Sequence, residues 1–136
     1  MYRRFSLVLV GVLTLTGCGS SGPFDYVPVS GHVAYEDGTP LPGSFKMIFV
    51  AQDAAPVGTA HPRPARANVN DQGVFECVTS HKYGDGLIPG KHKVVLQIGV
   101  GSDGKPIVPR EYSSSDTTPL VIDTADAPLE IKVPKP

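Results

Sequence analysis

Two cysteines, four histidines, three Asp-Gly pairs and one serine-rich run are the residues in this 136-residue sequence whose types bear on chemistry. His32, His61, His81 and His92 lie in separate segments. None stands at metal-ligand spacing from another histidine or from a cysteine pair, so no metal centre and no cofactor is expected. Asp37-Gly38, Asp85-Gly86 and Asp103-Gly104 carry carboxylates, but none opens a loop of alternating Asp/Asn ligands closed by Glu. They read as turns, not calcium loops. Ser113-Ser114-Ser115-Asp116 offers hydroxyls and a carboxylate without the strand–turn–helix context that exposes a nucleophilic serine. It reads as solvated loop. Cys77 falls in phase with Phe75 on the expected inward face of a strand, and a buried, inert thiol is the preferred reading. The alternative is a reactive or intermolecular thiol, since Cys77 has no partner in the chain once Cys18 is otherwise engaged. No catalytic residue emerges, and the expectation is a protein that is not an enzyme.

Cys18 stands in a different context. Arg3 and Arg4 precede an apolar run over residues 5–15, and Thr16-Gly17-Cys18 follows. That is a basic n-region, an h-region and a small-residue cleavage site. The apolar run is about half of the ~20 residues that a transmembrane helix needs. Leu15-Thr16-Gly17-Cys18 resembles the lipobox of bacterial lipoproteins, which implies that residues 1–17 are a signal peptide and that Cys18 is lipidated and becomes the first mature residue. The alternatives are an ordinary secretory leader that contains a cysteine and, on Arg3-Arg4, twin-arginine export. Two or three acyl chains hold a protein stably at a bilayer where one does not. The expected location is therefore the cell envelope, with the chain lipid-anchored on the extracytoplasmic side, at the outer membrane or the periplasmic face. Gly19 follows the cysteine, and in the lipoproteins it resembles this does not mark inner-membrane retention. Gly19-Ser20-Ser21-Gly22-Pro23 reads as a flexible spacer. Residues 18–28 form the lipidated cysteine and tether, and residues 29–136 the domain.

That length allows one domain with a core of its own. With 40% hydrophobic and 18% charged residues, the chain is of globular rather than disordered type. Gly 15 and Pro 14 argue for short elements joined by turns, hence an all-β fold. The formal charge of −1 becomes −3 without Arg3 and Arg4. No run of basic residues is present to hold a phosphate backbone, and nucleic acid is not an expected partner.

Seven short strands are expected. Residues 29–35 place Val29, Gly31, Val33 and Tyr35 on one face. Residues 45–50 put Phe45, Met47 and Phe49 on one side and apolar Ile48 and Val50 on the other, as a central strand would. Residues 66–68 lead into the turn Asn70-Asp71-Gln72-Gly73, in which Asp71 is expected to bond its own backbone. In the hairpin that follows, Phe75, Cys77 and Thr79 alternate with Glu76, Val78 and Ser80. Its second strand, begun by Pro89-Gly90, sets His92, Val94, Leu96 and Ile98 against Lys91, Lys93 and Gln97. Residues 120–123 and 129–133 are the last strands, after a long connection over residues 99–119. Val108-Pro109 and Pro119-Leu120 bracket Tyr112 there and suggest a segment laid along the sheets. No helical period of useful length appears in the mature chain. A single seven-stranded Greek-key β-sandwich is the expected architecture.

Val29-Ser30-Gly31-His32-Val33, the 37–43 turn segment and Asn70-Asp71-Gln72-Gly73-Val74-Phe75 resemble the carboxypeptidase-regulatory-like, or transthyretin-like (prealbumin-like), β-sandwich. Asp85-Gly86-Leu87-Ile88-Pro89-Gly90-Lys91-His92-Lys93-Val94 and the stretch from Val108-Pro109-Arg110-Glu111-Tyr112 to Thr118-Pro119-Leu120 are similar to small lipoproteins abundant in planctomycete bacteria. The resemblance implies a prealbumin-like sandwich with no established activity and no site to carry over. His92 departs from it, standing where these proteins usually place Tyr; it is either a core substitution or a local pH-sensitive contact. Transthyretin-like hydroxyisourate hydrolases share only the architecture, because their C-terminal Tyr-Arg-Gly-Ser signature is replaced here by Ile131-Lys132-Val133-Pro134-Lys135-Pro136. The functional expectation is a non-enzymatic envelope module with a structural or protein-interaction role, its partner an unknown envelope protein. The alternative is a carbohydrate-binding module for an envelope or matrix polysaccharide, with Tyr26, Tyr83 and Tyr112 as its loop platforms.

Overall fold

The alternation read from the sequence is realised as two β-sheets that share one core. The structure is a computed structural model and describes residues 22–136; residues 1–17, expected to be a signal peptide, and Cys18 lie outside the described residues. The strands are β1 (Gly31–Tyr35), β2 (Phe45–Ala51), β3 (Ala65–Val69), β4 (Val74–Phe75), β5 (Lys91–Gln97), β6 (Val121–Asp123) and β7 (Leu129–Val133). The only helical elements among the described residues are two 3-10 turns, Arg110–Ser113 and Thr124–Asp126. None is long and apolar enough to cross a membrane. One sheet has the order β4-β1-β7 and the other β3-β2-β5-β6. β1 and β7 pair in parallel, and the other neighbours are antiparallel.

β3 and β7 bury the face that their sequences mark. On β3, Ala65, Ala67 and Val69 turn inward while Arg66 and Asn68 stay exposed. On β7, Leu129, Ile131 and Val133 are buried between exposed Glu130 and Lys132. β2 is a central strand, held by β3 on one side and β5 on the other. Its Met47 and Phe49 are fully buried, and Ile48 and Val50 are half-buried on the outer side. Phe49 from the four-stranded sheet meets Phe75 from the other at 6.2 Å between ring centres and an interplanar angle of 52°, within the favoured range for tilted aromatic pairs. The shared core joins Val33, Tyr35, Met47, Phe75, Leu96 and Ile131 among others.

Three expectations about the middle of the chain are corrected. The segments containing Phe75 and His92 do not form a hairpin, because β4 pairs with β1 and β5 with β2, in different sheets. In the turn between β3 and β4 it is Asn70, not Asp71, that organises the backbone; its Oδ1 accepts from the amides of Gln72 (3.0 Å) and Val74 (2.9 Å). Finally, β4 is only two residues long. The chain loses its two-residue period beyond Phe75, so Val78 enters the core and Cys77 is left half-exposed.

Two stretches outside the strands are also tied down. Phe24 is buried, and Val27 pairs with Leu87 through both amides, at 2.8 and 2.9 Å. The packed chain thus starts ahead of residue 29. The long connection after β5 lies against the sheets as the flanking prolines suggest: the Tyr35 hydroxyl donates to the Ile107 carbonyl (2.7 Å), Val108 and Tyr112 are buried, and the Thr118 hydroxyl donates to the Val94 carbonyl (2.8 Å).

Candidate functional site

The edge of β3 carries a cleft beside a tightly folded loop. Thr79 docks beside Arg66 through two backbone hydrogen bonds of 2.9 and 2.8 Å, which closes the edge for a single residue pair. The loop that follows is folded around Asp85. Its carboxylate accepts from the amides of Ser80 (2.8 Å), His81 (3.0 Å) and Lys82 (2.8 Å). Burial alone would favour the protonated acid, but these three amides outweigh it and hold Asp85 below the ordinary carboxylate range. The Ser80 hydroxyl donates to the Gly86 carbonyl (2.6 Å), and the Thr79 hydroxyl accepts from the Gly84 amide (3.0 Å). A loop so tied presents Tyr83 at its tip with 87% of the residue exposed.

Between this loop and β3 lies a cleft of about 330 Å3, lined by Arg66, Asn68, Glu76, Cys77, Thr79 and Tyr83 among others. The Cys77 thiol lies beside the Tyr83 hydroxyl, and this contact holds the phenol above its usual range. A second cleft, of about 490 Å3, is lined by Pro23, Tyr26, His61, Arg63 and His81 among others. A shallower hollow contains Arg63, Arg66, Thr79 and Ser80, so the two clefts are the ends of one groove. Tyr26 is pushed above the ordinary phenol range by burial and by Asp85, with Arg63 opposing. Guanidinium groups, amides, hydroxyls and an exposed ring are a set for recognition: they pair with anions, hydrogen-bond and stack.

The residues singled out in the sequence are scattered by the fold. His61 and His81 share a cleft, but no group of three His, Cys, Asp or Glu side chains able to hold a metal occurs among the described residues. His32 Nδ1 lies 3.5 Å from Glu130 at the surface. Asp37 pairs with Lys135 at 2.7 Å and bonds Thr39. The Lys135 ammonium and the Thr39 contacts hold it well below the usual carboxylate range. Of the three tyrosines expected as platforms, Tyr83 is exposed, Tyr26 half-buried and Tyr112 buried. Tyr112 is therefore part of the core and not a platform. The convergence of Arg63, Arg66 and Tyr83 escaped the sequence, where they read as parts of two unrelated loops and a strand.

His92 occupies the core as a neutral ring. It is buried, with Nε2 2.7 Å from the Ile88 carbonyl and Nδ1 buried without a partner. Burial pushes its pKa below the ordinary 6.5, against the opposing pull of the Ile88 carbonyl and Asp123. A lowered histidine pKa means that the unfolded chain takes up the proton first. The associated stability is full above pH about 6.5 and declines as pH falls below it. Denaturant midpoints at pH 7.5 and pH 5.5 should therefore separate more in the native chain than in His92→Phe. Equal separation in both would place the acid sensitivity elsewhere.

In comparisons with protein-family models, with curated proteins and with solved structures, the chain matches none.

Proposed function

We propose that this chain is a lipid-anchored extracytoplasmic module of the cell envelope, non-enzymatic, that presents a β-sandwich of Greek-key, prealbumin-like type to another envelope protein. The observation that carries the reading is the placement of the lipobox-like Leu15-Thr16-Gly17-Cys18 only six residues before Phe24, the first buried side chain among the described residues. Six extended residues span at most about 20 Å, so acyl chains on Cys18 would hold the domain close against the bilayer. The two-sheet, seven-strand arrangement supports the resemblance to the small carboxypeptidase-regulatory-like lipoproteins. Cys18→Ala should abolish incorporation of a palmitate analogue, and the wild-type chain should lack residues 1–17 by intact mass. Undiminished labelling of the mutant would exclude the anchor.

A carbohydrate-binding module is the second reading. Exposed Tyr83 beside Asn68 and Thr79, with Tyr26 further along the same groove, favours it. Amide and hydroxyl groups around an aromatic ring suit a sugar, which offers hydroxyls at its rim and C–H groups on its faces. Glycan-array binding set against pull-down from solubilised envelope separates the two.

A further inference from the structure

Resting on the second of these readings, we infer that the outer face of the four-stranded sheet at its β3 edge binds an acidic polysaccharide, its carboxylates or sulfates paired with Lys46, Arg63, Arg66 and Lys93 and a sugar ring laid on Tyr83. Register brings Lys46, Arg66 and Lys93 together. Arg66 lies opposite Ile48, and Ile48 opposite Val95; Lys46 lies one step along the sheet in one direction, and Lys93, paired with Val50, one step in the other. With strands about 4.8 Å apart and about 6.8 Å between same-face residues, the Cα atoms of Lys46 and Lys93 lie roughly 8 and 12 Å from that of Arg66. Arg63 adjoins Arg66 in the hollow between the clefts.

The charge here differs in sign from that of the rest of the molecule. These four cations stand among three carboxylates, Glu76 of the cleft, Asp85 beneath its loop and Asp123 on the outer side of β6, whereas the remaining described chain carries six cations and ten carboxylates. None of the four is in an ion pair among the described residues. Lys93 alone has a side-chain hydrogen bond, to the Ser115 carbonyl at 3.3 Å. Half-buried Ile48 and Val50 lie between them, an apolar strip against which the C–H face of a pyranose can rest. A field of positive charge on an otherwise acidic surface steers an anion to this face.

Charge density and shape select the occupant. Duplex DNA carries one charge per about 1.7 Å of axis, a density that four widely spaced cations on an acidic domain do not match. A polysaccharide with at most one or two charges per sugar does match it. A bilayer surface is flat, whereas the groove is concave and Tyr83 projects from its rim.

The test uses the full chain purified in detergent. It should bind polygalacturonate or chondroitin sulfate and not neutral dextran or xylan, with affinity falling as salt rises. Arg66→Gln with Lys93→Gln should weaken binding at least tenfold with an unchanged circular dichroism spectrum, and Tyr83→Ala should weaken it several-fold. Lys105→Gln with Lys132→Gln, away from this face, should leave it unaltered. Should the double variant misfold, Lys46→Gln alone carries the test and must weaken binding severalfold. Neutral glycans bound as well by the double variant as by wild type would overturn this inference and leave the carbohydrate reading standing. Failure to bind any glycan would sink both. Equal affinity for duplex DNA, or a preference for phosphatidylglycerol over phosphatidylcholine vesicles that the double variant loses, would also overturn it in favour of an unselective or membrane-facing surface.

Discussion

Gly86→Ala should destabilise the domain by about 3–5 kcal/mol, combining roughly 1–3 of backbone strain with about 1 for each hydrogen bond lost. Gly86 has φ +102, a conformation that side-chain-bearing residues rarely adopt, and a Cβ there would fall on the Val27 carbonyl. That carbonyl cannot withdraw freely. It accepts from Leu87 N at 2.9 Å, while Val27 N donates to the Leu87 carbonyl at 2.8 Å and Gly86 N to the Val78 carbonyl at 2.8 Å. Accommodating a methyl group therefore breaks the pairing that fastens residues 24–28 to the domain. Gly38→Ala is the matched control: φ is +88, and nothing lies within 4 Å of the added atom. It incurs the strain alone. Urea melts in which both variants lose the same stability would show that Val27 does not determine the residue at position 86.

The same pair of glycines marks the limit of what the sequence discloses. Asp37-Gly38 and Asp85-Gly86 look alike as dipeptides, but the first closes a turn on Tyr35, whereas the second follows the turn at residues 82–85 and leads into the pairing with Val27. The three-dimensional approach of Val27, fifty-nine positions before Gly86 in sequence, separates them. β3, β5 and β7 were legible because each buries one complete face, which leaves alternation in the residues themselves. The stretch after Phe75 was not, since its pairing ends after two residues and nothing then maintains the period. Cys77 and Val78 exchange sides as a result. The candidate site was the least legible part. Lys46, Arg63, Arg66 and Lys93 each look like an ordinary exposed cation in sequence; strand register collects Lys46, Arg66 and Lys93 on one face, and the loop before β3 brings Arg63 beside Arg66. Tyr83 reads as a loop platform in the sequence, yet its exposure depends on the three amides that Asp85 gathers beneath the loop. The Asp85-Gly86 dipeptide reveals nothing of that.

Tyr112→Ala should lower stability by about 2–4 kcal/mol, close to the range for truncating a buried aromatic. Tyr112 sits in the 3-10 turn Arg110–Ser113, where its amide donates to the Pro109 carbonyl at 3.1 Å. The whole residue is only 8% exposed and belongs to the shared core, and its turn packs on β5. Burial, with Glu111 and Glu36 adding to it, pushes the phenol above its ordinary pKa. The ring therefore stays neutral through the range in which the protein would be studied. Position along the sheet explains why a loop residue carries so much. β6 pairs with β5 only at Lys91, His92 and Lys93, and further along β5 the edge is covered instead by Tyr112 and by Thr118, whose hydroxyl donates to the Val94 carbonyl. Removing the ring leaves a cavity under that cover rather than an empty place on the surface. Ser114→Ala, two residues on and exposed, loses one weak 3.3 Å contact to the Asp116 amide and should change stability by less than about 0.5 kcal/mol. Denaturant melts of the two variants decide the matter. Wild-type stability in Tyr112→Ala, together with loss of a partner recovered by pull-down, would make this segment a binding site and refute its structural role.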